Sequence, residues 1–148
     1  MSATAEIVVY VDGLCEPMNP GGTATYGYLI RNEAGRVIAR KSGVVGKGSG
    51  MSNNVAEYAA LCEALRFLVK EKMTRMSIEI RSDSRLVVNQ MKGKWKFRKG
   101  LYAQKYSDAK DLNALFTIIT FRWIPREENE EADALSREAY SQATQDSA

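Results

Sequence analysis

The 148-residue chain contains no histidine. Without imidazole there is no Ser-His-Asp or Cys-His nucleophile and no His-ligated zinc site. An enzyme of this composition, working near neutral pH, is confined to carboxylates, lysine, tyrosine, a metal-bound water or a cofactor. Cysteine is scarce too. Cys15 and Cys62 are too few for a secreted disulfide scaffold or a zinc cage, and two free thiols suit a reducing cytosol. No apolar run approaches the ~20 residues needed to span a bilayer, so no membrane partner is expected. The first residues, Met1-Ser2-Ala3-Thr4-Ala5-Glu6, lack a basic n-region and a signal-like apolar run. These absences predict a cytoplasmic protein.

What is present points to one domain. The length and a 45% hydrophobic content suffice for a real core. A single catalytic-sized domain is expected over 1–140, followed by a flexible polar tail over 141–148. The net charge of +3 tolerates a polyanion without demanding one.

Hydrophobic patterning predicts the elements. Ile7 to Val11 reads as a strand closed by an Asp12-Gly13 turn. Thr23 to Arg31 and Val37 to Ser42 read as strands around the turn Asn32 to Gly35, giving an antiparallel meander. Gly43 to Gly50, with four glycines, reads as a flexible loop. Tyr58, Leu61, Cys62, Leu65, Leu68 and Val69 then recur at helical spacing. Further strands are expected near Met76 to Arg81 and over Ile118 to Trp123. Helices are expected over Ser84 to Met91, Leu101 to Leu115 and Asn129 to about Tyr140. The last two strands lie parallel to the first if their crossovers are right-handed. Ligands in such sheets gather outside the carboxyl ends of the parallel strands.

Four acids fall near that end. Each has an ordinary explanation. Asp12 suits a turn. Asp83 suits a helix N-cap. Glu57, three residues after Asn54, suits a capping box. Asp133 suits the first turns of the last helix. Together they are harder to explain. Glu57 lies along the buried helical stripe, where a carboxylate is costly unless it is paired or holds a metal. Converging acids repel, and a divalent cation with all-oxygen ligation resolves the repulsion, as Mg2+ or Mn2+ prefers.

These residues carry a family resemblance. Tyr10-Val11-Asp12-Gly13, Asn19-Pro20-Gly21-Gly22, Ser52-Asn53-Asn54-Val55-Ala56-Glu57, Ser82-Asp83-Ser84 and Asn129-Glu130-Glu131-Ala132-Asp133 resemble, in this order, the type 1 ribonuclease H (ribonuclease HI) family. The likeness extends over about residues 6–140. It implies an α/β ribonuclease H-like fold: a five-stranded mixed sheet, three antiparallel strands and then two parallel, flanked by helices. It implies an endonuclease that hydrolyses the RNA strand of an RNA/DNA hybrid, leaving 5′-phosphate and 3′-hydroxyl ends. Asp12, Glu57, Asp83 and Asp133 would be its catalytic and metal-binding carboxylates, holding two Mg2+ ions with substrate, or Mn2+ as an alternative. Two cations about 4 Å apart clamp the attacking and leaving oxygens of an in-line displacement. Histidine is then not needed to activate water. A monomer is expected.

The resemblance also implies substrate contacts. Cys15, Asn19, Asn53 and Asn54 would face the hybrid's wide minor groove, where 2′-hydroxyls distinguish RNA from DNA. Ser52 matches a family threonine that grips a phosphate of the DNA strand. Lys92 to Lys99 holds five basic residues and no acid, interleaved with Trp95 and Phe97. Lys94, Trp95 and Lys96 are candidates for tracking the DNA strand. The chain is similar to a short form of the family, without the long basic protrusion or an N-terminal hybrid-binding domain. Many members carry a histidine before the last helix. Here Arg126 stands nearest, and arginine cannot act as a base near neutrality.

Other readings compete. An exonuclease or integrase core uses related carboxylates, but the Asn53-Asn54 segment and the opening meander favour the hybrid-specific enzyme. A catalytically silent hybrid-binding module would not need all four acids. A receiver-type domain shares acids at strand ends, and its alternating βα pattern does not suit the opening hairpins.

Overall fold

The computed structural model of the chain describes residues 5–146. Three strands open it: β1 (Ile7–Glu16), β2 (Thr23–Asn32) and β3 (Val37–Lys47). Then come α1 (Asn53–Lys70), β4 (Ser77–Ser82), α2 (Arg85–Met91), α3 (Ala103–Asn113), β5 (Ile118–Trp123) and α4 (Glu130–Asp146). The sheet order is β3-β2-β1-β4-β5. β1 to β3 pair antiparallel, and β4 and β5 run parallel to β1. This is the expected ribonuclease H-like arrangement. Among the described residues no helix is long and apolar enough to cross a membrane.

Residue alternation assigns the faces. Ile7, Val9 and Val11 pack into the main core with Leu61, Leu65 and Leu68 of α1. Gly13 continues that face, and a Cβ there would lie 2.3 Å from the carbonyl carbon of Ala56. Asp12 points the other way and pairs with Gly27 of β2. A Cβ at Gly27 would lie 2.5 Å from the carbonyl oxygen of Ala132 in α4. The two glycines therefore let α1 and α4 sit close on opposite faces. Thr25 Oγ1 donates to Ser136 O at 2.8 Å and ties α4 down further.

Three local expectations give way to the tertiary structure. Asp12-Gly13 is not a turn. β1 runs on to Glu16 because β2 supplies ladder partners as far as Glu16↔Thr23. Gly43 to Lys47 is not a flexible loop either. It extends β3 along β2, with an irregularity at Ala24/Thr25 that absorbs one extra residue. α4 continues past Tyr140, so 141–146 is helical where a frayed polar tail is expected. Residues 147–148 of that predicted tail lie outside the described residues. Cys15 and Cys62 are free and buried.

Candidate active site

The parallel pairing of β1 with β4 stops at Val11↔Ser82. The next residue on each strand is an acid, Asp12 and Asp83. Beyond this point β1 keeps only its antiparallel neighbour, and the chain of β4 turns into α2. A gap opens there, at the carboxyl end of the parallel strands. Glu57 reaches it from the second turn of α1. Its Oε1 accepts from Gly13 N at 3.1 Å. Carboxylate oxygens of Asp12, Glu57 and Asp83 lie within 4.8 Å of one another.

The ordinary explanations fail for these three acids. Asp12 lies within a strand, not a turn. The N-cap of α1 is Ser52, which accepts from Val55 N, so Glu57 stands too deep for a capping box. The N-cap of α2 is Ser84, not Asp83. Asp133 is different. It is in the first turn of α4 and accepts from Arg137 Nε at 3.1 Å. It lines the same cleft, of about 420 Å³, without joining the close group of three.

The electrostatics are those of a site built for a cation. Asp12 is 5% exposed. Burial, followed by the Asp83 charge, pushes its carboxyl up to about 8. Burial and then the Asp12 charge push Glu57 well above the usual carboxylate range. Burial also raises Asp83, while the nearby Arg126 guanidinium opposes the rise. Glu57 Oε2 is buried and, among the described residues, has no hydrogen-bond partner. An unsatisfied buried carboxylate oxygen beside two further acids matches the oxygen-donor set of Mg2+ or Mn2+.

A pH dependence follows. Asp12 ionises near its ordinary 3.8 when unfolded and near 8 when folded without metal. The folded state therefore binds more protons, and stability falls as pH rises through that interval. Melting of the chelator-treated protein is expected to drop between pH 5 and 9. Asp12→Asn should flatten that slope and raise Tm at pH 8 by about 5–10 °C. Thermal melts at several pH values check both.

The remaining candidates are spread around the cleft. Asn53, first residue of α1, accepts from Cys15 N through Oδ1 at 2.8 Å. Asn19 Oδ1 accepts from Asn53 N at 2.9 Å, which ties the Pro17–Gly22 loop to the helix. Asn54 lines the cleft and is partly exposed. Cys15 departs from expectation. It lies on β1 rather than in the loop, and its thiol is buried, donating to Met18 O at 3.2 Å. Only its backbone remains free to form cleft wall, because continued pairing with β2 turns the side chain inward.

Lys94, Trp95 and Lys96 sit apart from the acids, on the irregular segment between α2 and α3. All three are exposed, Trp95 by 47%. Phe97 instead faces inward, stacked on Tyr106 with ring centroids 4.7 Å apart. Gln90 Nε2 donates to Lys96 O at 3.4 Å and anchors the segment from beneath. Arg126 is exposed at the cleft rim.

Two residues of the site escape sequence reasoning. Arg137 lines the cleft. Its only local signal is the i, i+4 spacing from Asp133. Asn129 is buried, and its Nδ2 donates to Val11 O at 2.8 Å, pinning the start of α4 beside Asp12. That contact joins positions far apart in the chain, so no local pattern announces it.

Comparison with known proteins agrees with this architecture. Residues 11–139 match the family described as reverse transcriptase-like. The chain is 34% identical over 144 residues to the bifunctional protein Rv2228c of Mycobacterium tuberculosis, covering 97% of this chain and 38% of that protein. The chain thus spans under two-fifths of that relative's length. The solved N-terminal RNase H domain of Rv2228c, a fusion with maltose binding protein, superimposes with a TM-score of 0.86 at 33% identity, covering 98% of this chain and 100% of that one. A ribonuclease H of Phenylobacterium zucineum is 31% identical over 95% of this chain and 94% of its own length. LC11-RNase H1, solved in complex with an RNA/DNA hybrid, gives a TM-score of 0.84 at 34% identity, covering 93% of this chain and 99% of that one. With the order of its motifs, its sheet topology and its near full-length likeness to the Phenylobacterium ribonuclease H and to LC11-RNase H1 in accord, the chain belongs to the type 1 ribonuclease H family.

Proposed function

We propose that this chain is an endoribonuclease that hydrolyses the RNA strand of RNA/DNA hybrids, leaving 5′-phosphate and 3′-hydroxyl products. The observation that carries this is the group of Asp12, Glu57 and Asp83 oxygens within 4.8 Å of one another, with Glu57 Oε2 buried and, among the described residues, without a hydrogen-bond partner. LC11-RNase H1, of the same fold, takes an RNA/DNA hybrid as its bound partner.

Asp12, Glu57, Asp83 and Asp133 would hold two Mg2+ ions, or Mn2+. When bound, the cations supply Lewis acidity to in-line displacement at phosphorus and remove the need for an imidazole base. The chain's own residues do the rest. Gly13 N orients the Glu57 carboxylate. Asn129 holds the first turn of α4, and with it Asp133, against β1. Asn53, Asn54 and Asn19 would face the minor groove, aided by the backbone at Cys15, and Ser52 would grip a phosphate of the DNA strand. Lys94, Trp95 and Lys96 would follow the DNA strand at a distance from the acids. Arg126 would steady a phosphate at the rim, since a guanidinium has donors only. The protein would act as a cytoplasmic monomer.

The test is cleavage of end-labelled RNA/DNA hybrid, duplex RNA, duplex DNA and single-stranded RNA, each with Mg2+, Mn2+ or EDTA. Internal cuts confined to the hybrid's RNA strand, abolished by EDTA, are expected. An intact hybrid with either metal overturns the proposal. Products released one nucleotide at a time would favour an exonuclease, and binding without turnover a silent module.

A further inference from the structure

The four acids are not equivalent. Asp12, Glu57 and Asp83 converge most closely, and Asp133, a neighbour of Asp12, is already engaged by a cationic side chain. Asp133 Oδ2 accepts from Arg137 Nε at 3.1 Å, one helical turn along α4. The same guanidinium lies 3.7 Å from Glu16 Oε1 at the end of β1. Arg137 is thus braced between α4 and β1, its charge on the cleft wall. Its side chain is half exposed, so these contacts are weak and exchangeable.

We propose that Arg137 is a positioning residue that competes with a cation for Asp133 and so fixes the order in which the site fills. This rests on the two-cation proposal above. Without metal, Arg137 serves as the counter-charge of Asp133. A first cation needs only Asp12, Glu57 and Asp83, which already converge. A second must draw Asp133 away from Arg137 and bear the repulsion of a nearby guanidinium. The second position is therefore weaker than the first, and Arg137 is one cause. The Arg137 charge also reaches Asp12 at longer range, an effect that bears on both steps, whereas the competition for Asp133 bears on the weaker one. A merely structural Arg137 would alter the melting temperature and leave the two metal steps alike.

The experiment is calorimetric titration of the full chain with Mn2+ alone, in the absence of nucleic acid. Wild type is expected to show a tighter and a weaker step. Arg137→Gln should tighten the weaker step about two- to fivefold, because the ion pair that holds Asp133 is lost, and leave the tighter step within about twofold. Arg137→Lys, which keeps a cation there, should resemble wild type. Asp133→Asn should remove the weaker step in either background. The proposal is overturned if Arg137→Gln leaves the weaker step unchanged or weakens it, or if both steps tighten equally. It is also overturned if wild type shows a single step while cutting hybrid normally, which would leave the ribonuclease proposal standing. A wild type that binds no Mn2+ and cuts no hybrid overturns both.

Discussion

Asp12→Asn is expected to reduce hybrid cleavage about a thousandfold or more while changing hybrid affinity by less than about threefold. Asparagine keeps the shape of aspartate and removes its charge. In this position the charge is the point. Asp12 meets Glu57 and Asp83 where oxygens of all three lie within 4.8 Å of one another. It is one of the carboxylates that would hold the cations, and an amide oxygen binds a hard cation far less strongly than a carboxylate. The fold should not suffer. The buried Asp12 carboxyl is pushed up to about 8, so the metal-free protein already favours its neutral form. The variant should therefore melt higher while losing turnover. That pairing separates lost catalysis from lost structure. Single-turnover cleavage with Mg2+, anisotropy of a labelled hybrid and thermal melting are the three measurements. An Asp12→Asn protein that cuts within about tenfold of wild type would remove Asp12 from the catalytic set.

Gly13→Ala should cost about 3 kcal/mol of stability, near the upper end for overpacking. A Cβ at Gly13 would lie 2.3 Å from the carbonyl carbon of Ala56 and 2.6 Å from Glu57 N. These are backbone atoms of α1, so no side-chain rotation relieves the clash. The helix must move off the sheet. That movement carries Glu57 with it and breaks the bond from Gly13 N to Glu57 Oε1. Tm should fall by about 6–12 °C, and cleavage at a permissive temperature should fall as well. Gly50→Ala is the control, since a Cβ there would meet nothing within 4 Å and no left-handed φ constrains the position. Melting both variants checks the comparison. A Gly13→Ala protein as stable as Gly50→Ala would mean that α1 can recede freely.

Much of the site is legible in the chain because its carriers sit in short, rule-bound segments. Ser82-Asp83-Ser84 marks a strand end and a helix start within three residues. The stripe from Tyr58 to Val69 reveals which side of α1 is buried, and Glu57 falls on it. The substrate face is less legible. Cys15 looks like a loop residue beside Pro17, Asn19 and Pro20, and only pairing with β2 shows that its thiol is inward. Phe97 and Trp95 are alike in the basic segment. Contact with Tyr102 and Tyr106 separates them, sending Phe97 in and leaving Trp95 out.

The sequence by itself determines the chemistry on offer. With no histidine, the proposed hydrolysis would fall to carboxylates and the cations they could hold, and the order of the motifs assigns them to one family. It also determines most elements, since hydrophobic period and turn residues act over a few positions. Tertiary structure alone decides which acids meet. Asp12 and Asp83 become neighbours because β1 and β4 end their pairing one residue earlier, and Glu57 joins them because Gly13 lets α1 approach. It alone brings the local Asp133–Arg137 pair of α4 to the cleft. The reason is range. Propensity and periodicity are local properties, whereas a metal site is a coincidence of distant segments in space. The missing imidazole thus excludes a set of reactions at the outset, and the convergence of three carboxylates offers a cation site in its place.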